Sequence, residues 1–469
     1  MTRYFVWLLT IIIGVLCSCD RQLDIVPKGQ TTLNKTADLE LLLNQEYKIG
    51  MPPYSDLAQI CGESVGAAIS IPEVMSTPNT LNYAYLCYDE SVDRKTLTQS
   101  DERYSSIYKY INYLNTILAK IDNASGLDER KPSIKAEARV MRAYFHWLLA
   151  VIHARQYDEA TAGDLGGIAY VTDIDNTKIK EKKSLAETYR MILEDCSDEV
   201  IALLPDKNDD VCRPGKDFGY AVRGKVLMQM KRYGDAIPYL TKSLELNGEI
   251  DDRSYIKESE EWTSQRSSSL NLLFVGAPTL INPTMEIITK ETDARFEKND
   301  YVYKYCGKSG NGWDLTQGKM FSGLDGFRMY TGWNTQENPY GVTSVRNHLA
   351  LAECLIRTGE IRKGLERADN VRKCHVENCV PYARMYDMSP LSEKAAMRLL
   401  QQTKWIENIG SYENFFDMKR WNSEDDYRTT IKKDLGEYGV KTISPESPLW
   451  ILPFPANATR YNETLTQNF

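Results

Sequence analysis

A spacing of small residues recurs in two stretches of this chain. In "YAVRGKVLMQMKRYGDAIPYLTKSLEL" (220–246), Gly224 and Ala236 stand twelve residues apart across a turn at Tyr233–Asp235. In "VRNHLALAECLIRTGEIRKGLERADNVR" (345–372), Ala352 and Gly364 repeat that spacing across a turn at Thr358–Glu360. Small residues facing each other on two antiparallel helices let the backbones approach closely, as in tetratricopeptide helix pairs. Leu227 and Leu355 fill equivalent apolar positions after the first small residue of each copy. The repeat predicts a mainly α chain built on a tetratricopeptide-like helix-pair scaffold.

Helical periodicity extends the scaffold. Ile107, Tyr110, Ile111, Leu114, Ile117 and Leu118 mark one face of a helix from about 102. Further helices are expected over Ser133–Arg155 and over Leu185–Leu204, the latter stopped by Pro205. Thr36 reads as an N-cap, with Asp38 in the first turn and Leu39, Leu42 and Leu43 on one face. Residues 47–98, 247–341 and 422–469 break the pattern with Gly, Asn, Ser, Pro and aromatic residues. Short strands are hinted at 272–275 and 285–289. Long aromatic loops on a helical frame are where a surface for binding is carried.

The N-terminus sets the compartment. Arg3 precedes an apolar run, Phe5 to Leu16, in which only Thr10 is polar. A run that short does not cross a bilayer core of ~30 Å as a permanent helix, and its form is that of a secretory signal. "LCSC" (16–19) resembles the lipobox of bacterial lipoproteins, in which a small residue precedes the lipidated cysteine. Ser18 suits that place and Leu16 does not, so Cys19 rather than Cys17 is the expected lipid attachment site. Lipid at one end anchors a protein without spanning the membrane.

Loss of the signal removes Arg3 and takes the formal net charge from -8 to -9. The acidity is dispersed and no Lys/Arg block occurs, which argues against a nucleic-acid partner. Eight of the ten cysteines lie beyond Cys19, in a chain large enough to need no disulfides for its core. "KCHVENC" (373–379) has some look of a metal site but lacks the second ligand pair that structural zinc requires. No cofactor motif is found. The acid pairs Glu260-Glu261 and Asp425-Asp426 read as solvated faces, and His146, beside Phe145 and Trp147, as a core histidine. With no G-x-S-x-G, P-loop or H-E-x-x-H, catalysis is not expected.

The order of motifs along the chain resembles the SusD/RagB family, the outer-membrane nutrient-binding lipoproteins of Bacteroidetes. "CDRQLDIVPKGQTT" is similar to the family's opening, and "AEARVMRAYFHWLL" (136–149) to its E-A-x-x-x-R-A helix through Glu137, Ala138, Arg142 and Ala143. "GGIAYVTD" (166–173), "LALAECLIRTGE", "ENFFDMKRWN" (413–422) and "LWILPFPANATRYNETLTQNF" resemble later signatures. One departure is "LLQQTKWIENIGSYE", which replaces a helix rich in Glu and Arg, so its salt bridges are not implied. The resemblance implies capture of a glycan, in some members a peptide, at the cell exterior. It also implies a SusC-like TonB-dependent outer-membrane transporter as partner, and no catalysis. A tetratricopeptide-type interaction scaffold is the alternative reading.

The chain then divides into a signal (1–18), a tether (19–35), a first helical region (36–246), a loop-rich ligand-binding insertion (247–341), a second helical part (342–421) and a turn-rich C-terminal segment (422–469). Sugars offer C–H faces to aromatic rings and hydroxyls to polar rims. Trp313 and Trp333, set among Gly, Asn and Asp, are the expected stacking platforms. Tyr330 and Tyr340 beside them, and Asn82 and Tyr83 in "TLNYAYLCY", complete the candidate ligand site.

Overall fold

Asp101, Ser184, Thr343 and Ser392 each accept a hydrogen bond from the backbone N–H three residues on, satisfying donors that a helix start leaves open. The computed structural model describes residues 33–50, 52, 55–67, 70–207, 210–256, 270–276, 286–306, 315–329 and 338–469. The helices that build the frame are α1 (Glu102–Lys120), α2 (Lys131–His153), α3 (Leu185–Asp195), α4 (Lys216–Gln229), α5 (Tyr233–Leu246), α6 (Ser344–Arg357), α7 (Ile361–His375), α8 (Glu393–Glu407) and α9 (Glu413–Asn422). The first candidate N-cap, Thr36, is instead the first residue of the helix Thr36–Leu41.

Helix α2 is the axis of the core. From Ala136 to His153 all but one of its residues are buried, which a helix apolar on most sides requires. It packs against α1 and α3, while α4, α5, α6 and α7 stack in succession and α8 closes on α6 and α7. This is the helix-pair scaffold that the small-residue spacing predicts. In the second pair a Cβ on Gly364 would fall 2.6 Å from the Ala352 carbonyl oxygen, so the two small residues do face each other. In the first pair Gly224 makes room for Leu240, one turn beyond Ala236. The first turn lies at 230–232 rather than Tyr233–Asp235, with Lys231 at φ 62°.

The helix expected over Leu185–Leu204 is broken after Asp195 and resumes over Asp198–Ala202. Glu194 and Asp195 sit at a C-terminus, where the helix dipole disfavours acids, and Asp198 and Glu199 open the next helix, where it favours them. Arg139 and Arg142 hold the Asp195 carboxylate at that end.

The loops carry more order than their composition suggests. Strands at Asn271–Leu273, Val275–Gly276 and Glu286–Ile288 match the two hints. Ser64–Ala67, Glu286–Ile288 and Arg328–Met329 form one antiparallel sheet, which joins the first irregular segment to the insertion. Residues 47–98, expected as irregular, also hold helices such as Asp56–Cys61 and Leu81–Cys87. The C-terminal segment forms a hairpin, Ile431–Asp434 with Val440–Ile443, and its end returns to α2. There Asn468 Nδ2 donates to the His153 and Gly167 carbonyls, both at 2.9 Å.

Charges are buried where α6, α8 and α9 meet. Lys404 Nζ lies 2.7 Å from both Glu353 Oε2 and Asp417 Oδ2, and Arg420 Nη2 lies 2.7 Å from Glu353 Oε1. Trp421 Nε1 donates to the same Glu353 oxygen at 2.8 Å. Burial pushes the Glu353 carboxyl up, but Arg420 and Lys404 outweigh it and hold it well below the usual range.

Candidate functional site

The candidate ligand residues fall into three groups. Trp313, Trp333 and Tyr330 lie outside the described residues, as do Cys19 and the pair Glu260-Glu261. Asn82 and Tyr83 are half-buried on the helix Leu81–Cys87, whose N-cap Thr80 accepts from the Tyr83 N–H. Asn82 Oδ1 accepts from Gln59 Nε2 at 3.1 Å, and the same nitrogen donates to the Val65 carbonyl at 2.9 Å. Tyr83 packs beside a small core of Val65, Leu86, Ile287, Phe327 and Met329. The three-stranded sheet, with Arg328–Met329 as one edge, thus backs the helix that carries Tyr83.

Tyr340 does not belong to such a surface. It is 2% exposed, its ring centroid is 4.2 Å from that of Tyr412, and its carbonyl accepts from the Tyr144 hydroxyl. The ring is core and presents no face to a sugar. Its neighbour Gly341 is pressed against the Leu273 and Asn338 oxygens, so the chain enters α6 through a tightly packed corner. Asp425 and Asp426 are exposed and pair with Arg428 and Lys394. His146 is fully buried between the Arg142 carbonyl and the Val171 N–H, and burial lowers it to about 3.

A second group of polar residues converges where the insertion meets α7 and α8. Backbone pairing of Asp300 with Val376, and of Glu377 N–H with the Asn299 carbonyl at 2.9 Å, holds the loop 297–300 against the end of α7. Between them lies a small cleft of about 20 Å³ lined by Glu297, Asp300, Arg372, Val376, Thr403 and Glu407, with Arg295, Gln402 and Ile406. His375, from "KCHVENC", stands behind it and is closed to water. Its Nδ1 is 2.8 Å from Glu407 Oε1 and its Nε2 is 2.9 Å from Asp251 Oδ1. Burial and Arg253 push the imidazole down, yet Glu407 and Asp251 prevail and hold it at about 9. Arg253 bridges the same two carboxylates at 3.1 Å each. Asp300, 3% exposed, accepts the Tyr303 N–H at 3.0 Å, and burial pushes its carboxyl up to about 6. The ring of Tyr303 stacks on Phe296, centroids 5.3 Å apart.

This cluster escaped the reading of the sequence because His375 and Asp251 are 124 residues apart and only the fold brings them together. The chemistry it offers is recognition through hydrogen bonds and charge. Among the described residues no group of three or more His, Cys, Asp or Glu is placed to hold a metal ion. Among them, too, no helix is long and apolar enough to cross a membrane.

Residues 23–228 match the model of a SusD-like family described as starch-binding and associating with the outer membrane. No curated protein matches the chain in sequence. Crystal structures share its fold over most of its length. A SusD superfamily protein from Bacteroides thetaiotaomicron is 16% identical, with 93% of this chain and 100% of that one covered and a TM-score of 0.66. A SusD-like carbohydrate binding protein from Bacteroides vulgatus is 15% identical, with 92% and 97% covered and a TM-score of 0.66. A SusD superfamily protein from Bacteroides fragilis is 14% identical, with 93% and 100% covered and the same TM-score, 0.66. Residues 23–228, a little under half of the chain, are thus similar to that SusD-like family model, and the chain shares the fold of SusD superfamily structures over more than nine-tenths of its length.

Proposed function

We propose that this protein is a lipid-anchored, glycan-binding receptor of the outer membrane, facing the cell exterior. It captures a polysaccharide or oligosaccharide for import through a SusC-like TonB-dependent transporter. The observation that supports the reading is the sheet Ser64–Ala67, Glu286–Ile288 and Arg328–Met329, whose small core the half-buried Tyr83 packs against. The starch-binding description of the matched family supports the ligand class. The anchor is lipid on Cys19. The ligand is held by rings against sugar C–H faces, with amide rims on its hydroxyls, and no bond is made or broken.

A binding screen of the chain from residue 22, against neutral and acidic polysaccharides and against peptides, tests the ligand class. Retention by a glycan and not by peptides is expected. Retention by peptides alone moves the protein to the peptide-capturing branch of the same architecture.

A further inference from the structure

Strand Ile431–Asp434 turns alternate side chains inward, and the next inward position after Ile431 is a lysine. Lys433 is fully buried. Its ammonium donates to the Gln59 and Tyr85 carbonyls, both at 3.0 Å, and lies 4.0 Å from the centre of the Tyr88 ring. Those carbonyls belong to the last turns of the helices Asp56–Cys61 and Leu81–Cys87, where a helix leaves acceptors open. Among the described residues no carboxylate is within ion-pair distance of Lys433. The groups that face it are the Cys61 and Cys87 thiols, the Tyr88 ring, Lys441 on the paired strand and, beyond ion-pair reach, Glu291. Burial pushes both thiols up, and Glu291 Oε1 is taken by the Asp434 N–H at 3.0 Å.

An ammonium closed to water, with dipoles but no anion beside it, carries a desolvation cost that the neutral amine escapes. Burial accordingly pushes Lys433 down to about 7, whereas an amine in water titrates at about 10.4. We propose that the hairpin of Ile431–Asp434 and Val440–Ile443 is a flap whose opening takes up a proton on Lys433, so that it closes more firmly as pH rises above neutrality. The hairpin is built as a piece that lifts. Its outer strand is open to water at Val440, and its turn holds Gly436 and Gly439 at φ 65° and 79°. Closed, it covers Gly62, where a Cβ would meet Ile431 Cγ2 at 2.3 Å, and sets Leu435 into the small core that Tyr83 packs against. Opening uncovers the ends of both helices. The flap is independent of what the protein captures.

Hydrogen–deuterium exchange of the purified full chain, read by mass spectrometry at about pH 7.5 and pH 9 and corrected for the intrinsic rate at each, is the test. With one proton taken up per opening, the opening constant of peptides within 431–443 should fall about tenfold or more over that interval. Peptides of α2 should change less, because the flap lifts without unfolding the frame. Lys433→Met, which keeps an unbranched side chain without the amine, should open its hairpin equally at both pH values. Should that variant not fold, the wild-type hairpin measured against wild-type α2 decides alone. An opening constant that does not fall in the wild type, an equal change across α2, or a folded Lys433→Met hairpin that keeps the wild-type pH dependence would overturn the proposal.

Discussion

Lys404 Nζ lies 2.7 Å from Glu353 Oε2, and neither side chain is open to water. The pair ties α8 to α6, and Asp417 and Arg420 extend it into α9. Removing one partner of a buried network leaves the opposite charge without compensation, at a cost of ~3–5 kcal/mol. Lys404→Met should therefore lower the unfolding free energy by about that amount in denaturant titration. A loss under ~1 kcal/mol would mean that the network is not what holds these three helices together.

The helix pairs make a separate prediction. A Cβ at Gly224 would stand 2.7 Å from Leu240 Cγ, and Ala352 lies fully buried against Gly364. Leucine at either position overpacks the interface, which costs typically ~1–3 kcal/mol. Thermal melts of Gly224→Leu and Ala352→Leu should each shift downward. Unchanged melting of both would remove the small-residue contacts from the account of the fold.

These two sites show what the sequence conveyed and what it withheld. Helix pairing is a local matter, so residues twelve apart reported it directly, and the helical frame followed from periodicity. The buried charges are non-local. "LLQQTKWIENIGSYE" gave no sign that Lys404 would meet Glu353, 51 residues earlier, and Asp417. Tyr340 misled for a related reason: it stands among Asn, Pro and Gly, yet the Tyr412 ring against it and the Tyr144 hydroxyl on its carbonyl come from the turn before α9 and from α2. Polar neighbours in sequence describe the chain beside a ring, not the surface above it.

His375 gives a dependence on pH. Its folded value, about 9, is raised above the ordinary 6.5, so the stabilisation is complete below about 6.5 and is lost as pH rises through 9. The shift corresponds to on the order of 3 kcal/mol. The stability gap between wild type and His375→Gln should be widest near pH 6 and nearly closed by pH 9.5. A gap that stays constant across that interval would show that the imidazole is neutral between its two carboxylates.

The proposed lipid anchor at Cys19 is open to a direct test. Cys19→Ala should move the protein from the membrane fraction to the soluble fraction even though Cys17 is intact. Continued membrane retention of that variant would require another anchor. Protease treatment of intact cells then reports which side of the membrane the body faces: digestion places it outside, and protection places it within.

Glycan capture through aromatic platforms is the central claim, and calorimetric titration of the retained glycan into wild type, Trp313→Ala and Trp333→Ala tests it most directly. Binding should be lost, or weakened at least about tenfold, in one or both variants while their melting temperatures stay within a degree or two of wild type. Wild-type affinity should change little with added salt, because stacking and neutral hydrogen bonds carry no screened charge. Full-strength binding by both variants would place the site elsewhere, and unfolding of both would show that these rings are core, as Tyr340 is.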